Sequence, residues 1–253
     1  WLPRIQSKAL KSFVYDGVMP ELDDVPDGLL NQRQLRVKNH TLAGTTYFDV
    51  EGAAADLASH GFPAYFMDFE TINFAVPVWV GTRPYQQIPF QFSVHKLTES
   101  GMLDHEAFLD ISGNNPSLPF AEAIIGACRN IGPIYVYNAS FEAARLNDLG
   151  NQMPSLQCSL TALVARLVDL LPVAQERYYH SSQQGSWSIK AVLPTIAPDL
   201  SYQHLEGVQG GDMAMNAYFE AIQSSTPQTR RNQIQQQLLD YCKLDTYAMV
   251  RIW

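Results

Sequence analysis

The run Ala64-Tyr65-Phe66-Met67-Asp68-Phe69-Glu70 constrains this chain more than any other stretch. A short apolar segment rich in aromatics reads as a buried strand, yet this one carries two acids. Side chains alternate faces along a strand, so Asp68 and Glu70 leave one face together while Met67 and Phe69 pack on the other. Carboxylates enclosed without partners are costly to keep ionised. That face must therefore meet solvent, cap a helix or hold a cation.

The surrounding pattern places the strand in a mixed sheet. Pro89 to His95 alternates by two and predicts a second strand, and Met102 to Leu109 a weaker third; short links between the three imply an antiparallel meander. Helix and strand then take turns. Leu118 to Ile131 is helical, Ile134 to Asn138 a strand, Ser140 to Leu149 helical, and Leu160 to Leu171 apolar at helical spacing with a possible strand at its end. Short helices follow at Trp187 to Ile196 and Asp212 to Ile222, with a long one over Pro227 to Ile252. This order favours an α/β fold in which helices cover a mixed sheet. Residues 1–60 carry a helical pattern at Ile5 to Phe13, a turn-rich stretch from Pro20 to Gly28 and polar residues through His40. They read as an arm or boundary region, and residues 61–253 as the main domain.

Two further elements carry acids. Asn138-Ala139-Ser140-Phe141-Glu142 runs from a strand end into a helix start, where Asn138 or Ser140 can cap the helix and Glu142 suits its dipole. Tyr241 and Asp245 stand four apart and share one face of the last helix. Each element alone has an ordinary structural explanation, but their order along the chain is harder to assign to chance.

That order resembles the DEDD superfamily of 3′ to 5′ exonucleases, and Tyr241-x-x-x-Asp245 is similar to the third motif of its tyrosine-bearing DEDDy branch. The likeness runs from Phe62 to Trp253. Asp68-Phe69-Glu70-Thr71, Gly81 to Phe92, Gly185 to Lys190 and Tyr241 to Thr246 resemble, more closely, a bacterial family known only as a domain of unknown function in the ribonuclease H-like clan. This closer likeness extends over the N-terminal region but implies no activity.

The superfamily resemblance implies a ribonuclease H-like sheet of three antiparallel strands followed by parallel ones. It implies that Asp68, Glu70, Glu142 and Asp245 hold two Mg2+ or Mn2+ ions, which clamp the scissile phosphate. Tyr241 would orient or help deprotonate the attacking water, and nucleoside 5′-monophosphates would leave a single-stranded DNA or RNA 3′ end. Glu142 departs from the superfamily's Asp at that position. A catalytically degenerate domain that binds nucleic acid or a partner is accordingly the alternative, and an endonuclease or other phosphodiesterase a third. Thr71, Arg83, Gln87, Asn138 and Lys190 are candidate substrate contacts. Tyr178, Tyr179, His180 and Trp187 suit base stacking, although packing explains them more simply, and Asp169 reads as structural.

The net charge of -8 argues against a broad basic face for nucleic acid. It does not exclude phosphate chemistry through bound cations, whose ligands are themselves acidic. Cys128, Cys158 and Cys242 are odd in number and widely spaced, which predicts reduced, buried thiols. No window has the roughly 18 consecutive apolar residues of a membrane span, and the start lacks a secretory layout. A cytoplasmic location is expected. Trp1 at the start and Trp253 inside a helical pattern suggest a piece of a longer polypeptide with a flanking domain.

Overall fold

The computed structural model describes residues 2–16, 21–58 and 60–253; Trp1, and Pro20 of the turn-rich stretch, lie outside them. The chain divides into two compact units. The first joins the residues before His60 to Leu171–Leu200. The second consists of His60–Leu170 and Ser201–Arg251 with Trp253.

In the first unit, helices α1 (Lys8–Asp16), α2 (Gln32–Ala43) and α3 (Val50–Ala58) form where an arm is expected from the sequence. The polar composition of α2 hides it, but both its ends are encoded. The Asn31 side chain accepts from the Gln34 backbone N–H at 2.9 Å while the Gln34 side chain accepts from Asn31 N–H at 3.1 Å, a reciprocal cap. Gly44 then closes the helix in a left-handed conformation, φ 63°. Strand β1 (Thr46–Phe48) pairs antiparallel with Tyr178–His180, a strand of the same unit. Arg177 donates to Asp49 at 2.7 Å and to Asp56 at 2.8 Å. Tyr179 is fully enclosed and packs against buried Trp187, whose indole N–H donates to the Tyr178 carbonyl at 2.8 Å. Tyr179 and Trp187 are thus packing residues.

The second unit is a five-stranded mixed sheet flanked by helices. Its strands are β2 (Ala64–Ile72), β3 (Ile88–Leu97), β4 (Leu103–Leu109), β5 (Ile134–Val136) and β6 (Leu167–Asp169), in the spatial order β4-β3-β2-β5-β6. The first three are antiparallel, whereas β5 and β6 run parallel to β2. Edge strand β4 carries Asp104, His105 and Glu106 on its exposed stretch, which discourages edge-to-edge pairing.

Alternation sorts the sheet faces as expected. Tyr65, Met67, Phe69, Phe92 and Val94 join a core with Phe120, Ala121 and Ile124 of α4 (Ser117–Cys128), Leu146 and Leu149 of α5 (Ala139–Gln152), and Leu160 and Leu163 of α6 (Gln157–Val164). Each such enclosed aliphatic or aromatic side chain contributes about 1.5–3 kcal/mol relative to exposure. The apolar stretch Leu160 to Leu171, expected to be mainly helical, breaks into α6, β6 and α7 (Leu170–Arg177). Strand β7 (Tyr178–His180) and α8 (Ile189–Ile196) follow in the first unit; α9 (Gly211–Ala221) and α10 (Gln228–Ile252) return to the second. Pro227 lies just before α10, at its N-cap. Among the described residues, no helix is long and apolar enough to cross a membrane.

Candidate metal centre

Strand β2 presents Asp68 and Glu70 on the face opposite the apolar core, where β3 adds Ser93 beside Asp68 and Gln91 beside Glu70. Helix α10 packs over this polar strip and is pinned in register by side chains. Gln91 Nε2 donates to the Leu238 carbonyl at 2.7 Å, and Thr246 Oγ1 is hydrogen-bonded to Ser93 Oγ at 2.7 Å and to His95 Nδ1 at 2.8 Å. Burial and the neighbouring His105 hold His95 down to about 3, so this ring adds no positive charge at neutral pH. Between the pins, Tyr241 and Asp245 face the strand, as their four-residue spacing requires.

The outcome is convergence. One carboxylate oxygen from each of Asp68, Glu70 and Asp245 lies within 4.8 Å of the others, with Glu70 and Asp245 buried and Asp68 half-buried. Enclosure raises the Asp68 carboxyl well above its usual range, and the charges of Asp245, Glu70 and Glu142 raise it further. Like charges this close need a proton or a cation between them. Three hard oxygen donors suit a divalent ion such as magnesium or manganese.

Glu142 arrives from the other side of β2. The β2–β5 register aligns Phe66 with Tyr135, so Asp68 and Glu70 stand beyond the end of β5, and α5 begins there. This is the carboxyl edge of the parallel strands, where open α/β sheets place ligands. Glu142 is not in the 4.8 Å trio, yet its charge acts on Asp68. It is 2% exposed, and its Oε2 has no hydrogen-bond partner among the described residues. Burial pushes its carboxyl up to about 8, with a smaller contribution from Asp169. An enclosed carboxylate oxygen without a partner is costly unless something absent from the protein itself completes it.

The capping of α5 corrects the sequence expectation. Neither Asn138 nor Ser140 caps it. Asn138 takes a left-handed conformation, φ 85°, and Asp169 at the end of β6 accepts the backbone N–H groups of Asn138 and Ala139 at 2.9 and 3.0 Å. Asp169 thereby fixes the start of the helix that carries Glu142.

Tyr241 is buried, and enclosure, followed by Asp245, Glu70 and Asp68, keeps its phenol protonated far above neutral pH. The remaining candidates divide. Thr71 lines an open cleft of roughly 360 Å³ with Phe69, Glu70, Asn73, Phe141 and Met215. Gln87 accepts from Arg145, a residue that also ion-pairs with Asp148 at 2.8 Å. Arg83 is exposed, its backbone N–H donating to Gln86 at 3.0 Å. Lys190 is the second residue of α8 in the first unit, so the second unit's acid cluster is described without it. All three cysteines are free; Cys128 and Cys242 are buried as expected, but Cys158 is exposed.

Sequence reasoning missed the segment that closes the trio. Tyr202 donates to Asp245 Oδ1 at 2.6 Å, and Gly211 lies beside Glu70, where a Cβ would make ordinary contact, 3.7 Å from Oε2. Tyr202 lies in a polar loop without periodicity, so its pattern offered no signal.

Comparison with known proteins bears on this arrangement. Residues 65–188 match the family model described as a domain of unknown function, DUF2779. The matched segment holds Asp68, Glu70 and Glu142 but ends before Lys190, Tyr241 and Asp245. The chain is 29% identical over 207 residues to a Mycoplasma pneumoniae protein named as an uncharacterised MG366 homolog, covering 74% of this chain and 31% of that protein. It is 24% identical over 212 residues to uncharacterised MG366 of Mycoplasma genitalium, with the same coverage. The chain therefore spans about a third of the length of these relatives. No solved structure matches.

Proposed function

We propose that the acidic cluster is the catalytic centre of a divalent-metal-dependent 3′ to 5′ exonuclease of DEDDy type on a ribonuclease H-like domain. The observation that carries this reading is the approach of Asp68, Glu70 and Asp245 oxygens within 4.8 Å, from a strand and a helix far apart in sequence. The sheet supports it too: three antiparallel strands followed by two parallel ones is the architecture that the resemblance implies.

The donor set suits hard cations. Asp68, Glu70 and Asp245 would hold one, and Glu142, whose buried Oε2 has no partner among the described residues, would contribute to a second. When bound, the metal supplies Lewis-acid stabilisation of a phosphodiester and a more acidic water. The protein's residues set the geometry around it. Tyr241, beside the trio, would orient or help deprotonate the nucleophile; enclosure and the neighbouring acids favour its protonated, hydrogen-bond-donating form. The cleft opening on Glu70 offers Phe141, Phe69 and Met215 as apolar contacts for a terminal nucleobase, with Thr71 and Asn73 as polar ones. Thr71 is thus the strongest of the proposed substrate contacts.

Glu142 standing where the superfamily has Asp favours a second reading, a catalytically degenerate domain that binds nucleic acid or a partner without cutting. One assay separates the two. With Mn2+ or Mg2+, the exonuclease releases mononucleotides from the labelled 3′ end of an oligomer, and Asp68→Ala and Asp245→Ala abolish the release. Binding without release in wild type supports the degenerate reading, and cleavage of a circular substrate would show an endonuclease instead.

A further inference from the structure

We infer that Tyr202 is a positioning residue for metal binding: by donating to Asp245 Oδ1 it fixes the plane in which that carboxylate meets a divalent cation. This inference rests on the metal-centre reading above and adds to it a residue outside all three acid-bearing elements.

The geometry carries it. The phenol–carboxylate bond is 2.6 Å, at the short end of the range for a hydroxyl donor. Tyr202 is 8% exposed, and its ring lies 6.2 Å from that of Tyr241. A carboxylate on a helix can rotate about its side-chain bonds, and a donor on one oxygen removes that freedom.

The segment that carries Tyr202 is itself fixed. Ser201 caps its single helical turn by accepting from Gln203 N–H at 3.1 Å, and Val208 is buried. Gly207, at φ 76°, takes a left-handed turn beside the end of the Gln237 side chain of α10. Gly211 then meets Glu70. Within ten residues, one connecting segment touches Asp245, the helix bearing it and a second acid of the trio.

The test is Mn2+ titration calorimetry on the full chain of wild type, Tyr202→Phe and Asp245→Asn. Phe keeps the ring beside Tyr241 and removes only the donor, and a thermal melt within a few degrees of wild type checks the fold. The expected result is an Mn2+ dissociation constant raised about 10- to 100-fold in Tyr202→Phe. Oligonucleotide KM should stay unchanged, and kcat should recover toward wild type at saturating Mn2+, a split that a general loss of structure would not give. A dissociation constant within twofold of wild type overturns the inference while leaving the metal centre standing, provided Asp245→Asn loses binding. Should Asp245→Asn bind Mn2+ normally, the metal-centre reading fails and the inference with it. A measurement independent of folding uses Tyr241→Phe protein with Tyr202 intact: Mn2+ should produce an ultraviolet difference band from the tyrosine at Asp245, and its absence counts against the inference.

Discussion

Replacing Glu142 by Gln should flatten the dependence of folding stability on pH in the metal-free protein. Glu142 is enclosed, one of its oxygens lacks a partner among the described residues, and burial lifts its carboxyl from 4.5 to about 8. Below pH 4.5 the folded and unfolded chains both hold the proton, and the group's contribution to stability is complete. As pH rises the unfolded chain ionises while the folded one resists, so stability falls until the folded carboxyl itself titrates near 8. At about 1.4 kcal/mol for each pH unit separating the two values, the loss is on the order of 5 kcal/mol. Gln keeps the shape, cannot titrate, and relieves part of the repulsion on Asp68. Urea denaturation with chelator present, at intervals from pH 5 to 9, should show wild type losing that much more stability than the variant. Parallel curves would refute the argument, because they would mean that Glu142 is solvated or partnered in solution. Manganese extends the test: at one hundred times its dissociation constant it adds about 2.7 kcal/mol to wild type. The gain should be larger at pH 8 than at pH 6, since a carboxyl must lose its proton to ligate.

Two other substitutions probe the same architecture. Asp68→Asn removes a carboxyl whose ionisation is opposed by burial and by three acidic neighbours. At pH 8 without metal it should raise the melting temperature by roughly 2–4 °C per kcal/mol gained, measured by calorimetry, while abolishing Mn2+ binding. Asp169→Ala deletes the acceptor for the Asn138 and Ala139 N–H groups and should cost about 1–2 kcal/mol in urea denaturation. It should also weaken Mn2+ binding through Glu142, although Asp169 contributes no oxygen to the trio.

Much of the site-bearing sheet was legible because its strands obey simple alternation. Phe90, Phe92 and Val94 against Gln91, Ser93 and His95 announce two faces, and the structure fills one with apolar helices and the other with α10. The spacing of Tyr241 and Asp245 likewise forecasts one helix face. What stayed hidden was what pattern cannot carry. Helix α2 reads as polar linker by composition, and only its Asn31–Gln34 reciprocal cap and terminal Gly44 betray it. Asp169 displaces the expected local caps of α5 because β6 brings it from thirty residues downstream, a tertiary choice that no window of sequence contains. Tyr202 was invisible for the same reason: its meaning lies in its partner.

The pins on α10 have a consequence for how this domain tolerates change. Leu238 and Thr246 are tethered to β3 through polar bonds on either side of Tyr241 and Asp245. The register of the helix that carries the acid is therefore set by polar bonds to the central sheet as well as by the oily residues that glue the helix down. Those residues are free to drift among shapes of similar volume. Lengthening the helix by one residue between the tethers, in contrast, would swing everything beyond it by about 100° and strand Asp245 away from its companions.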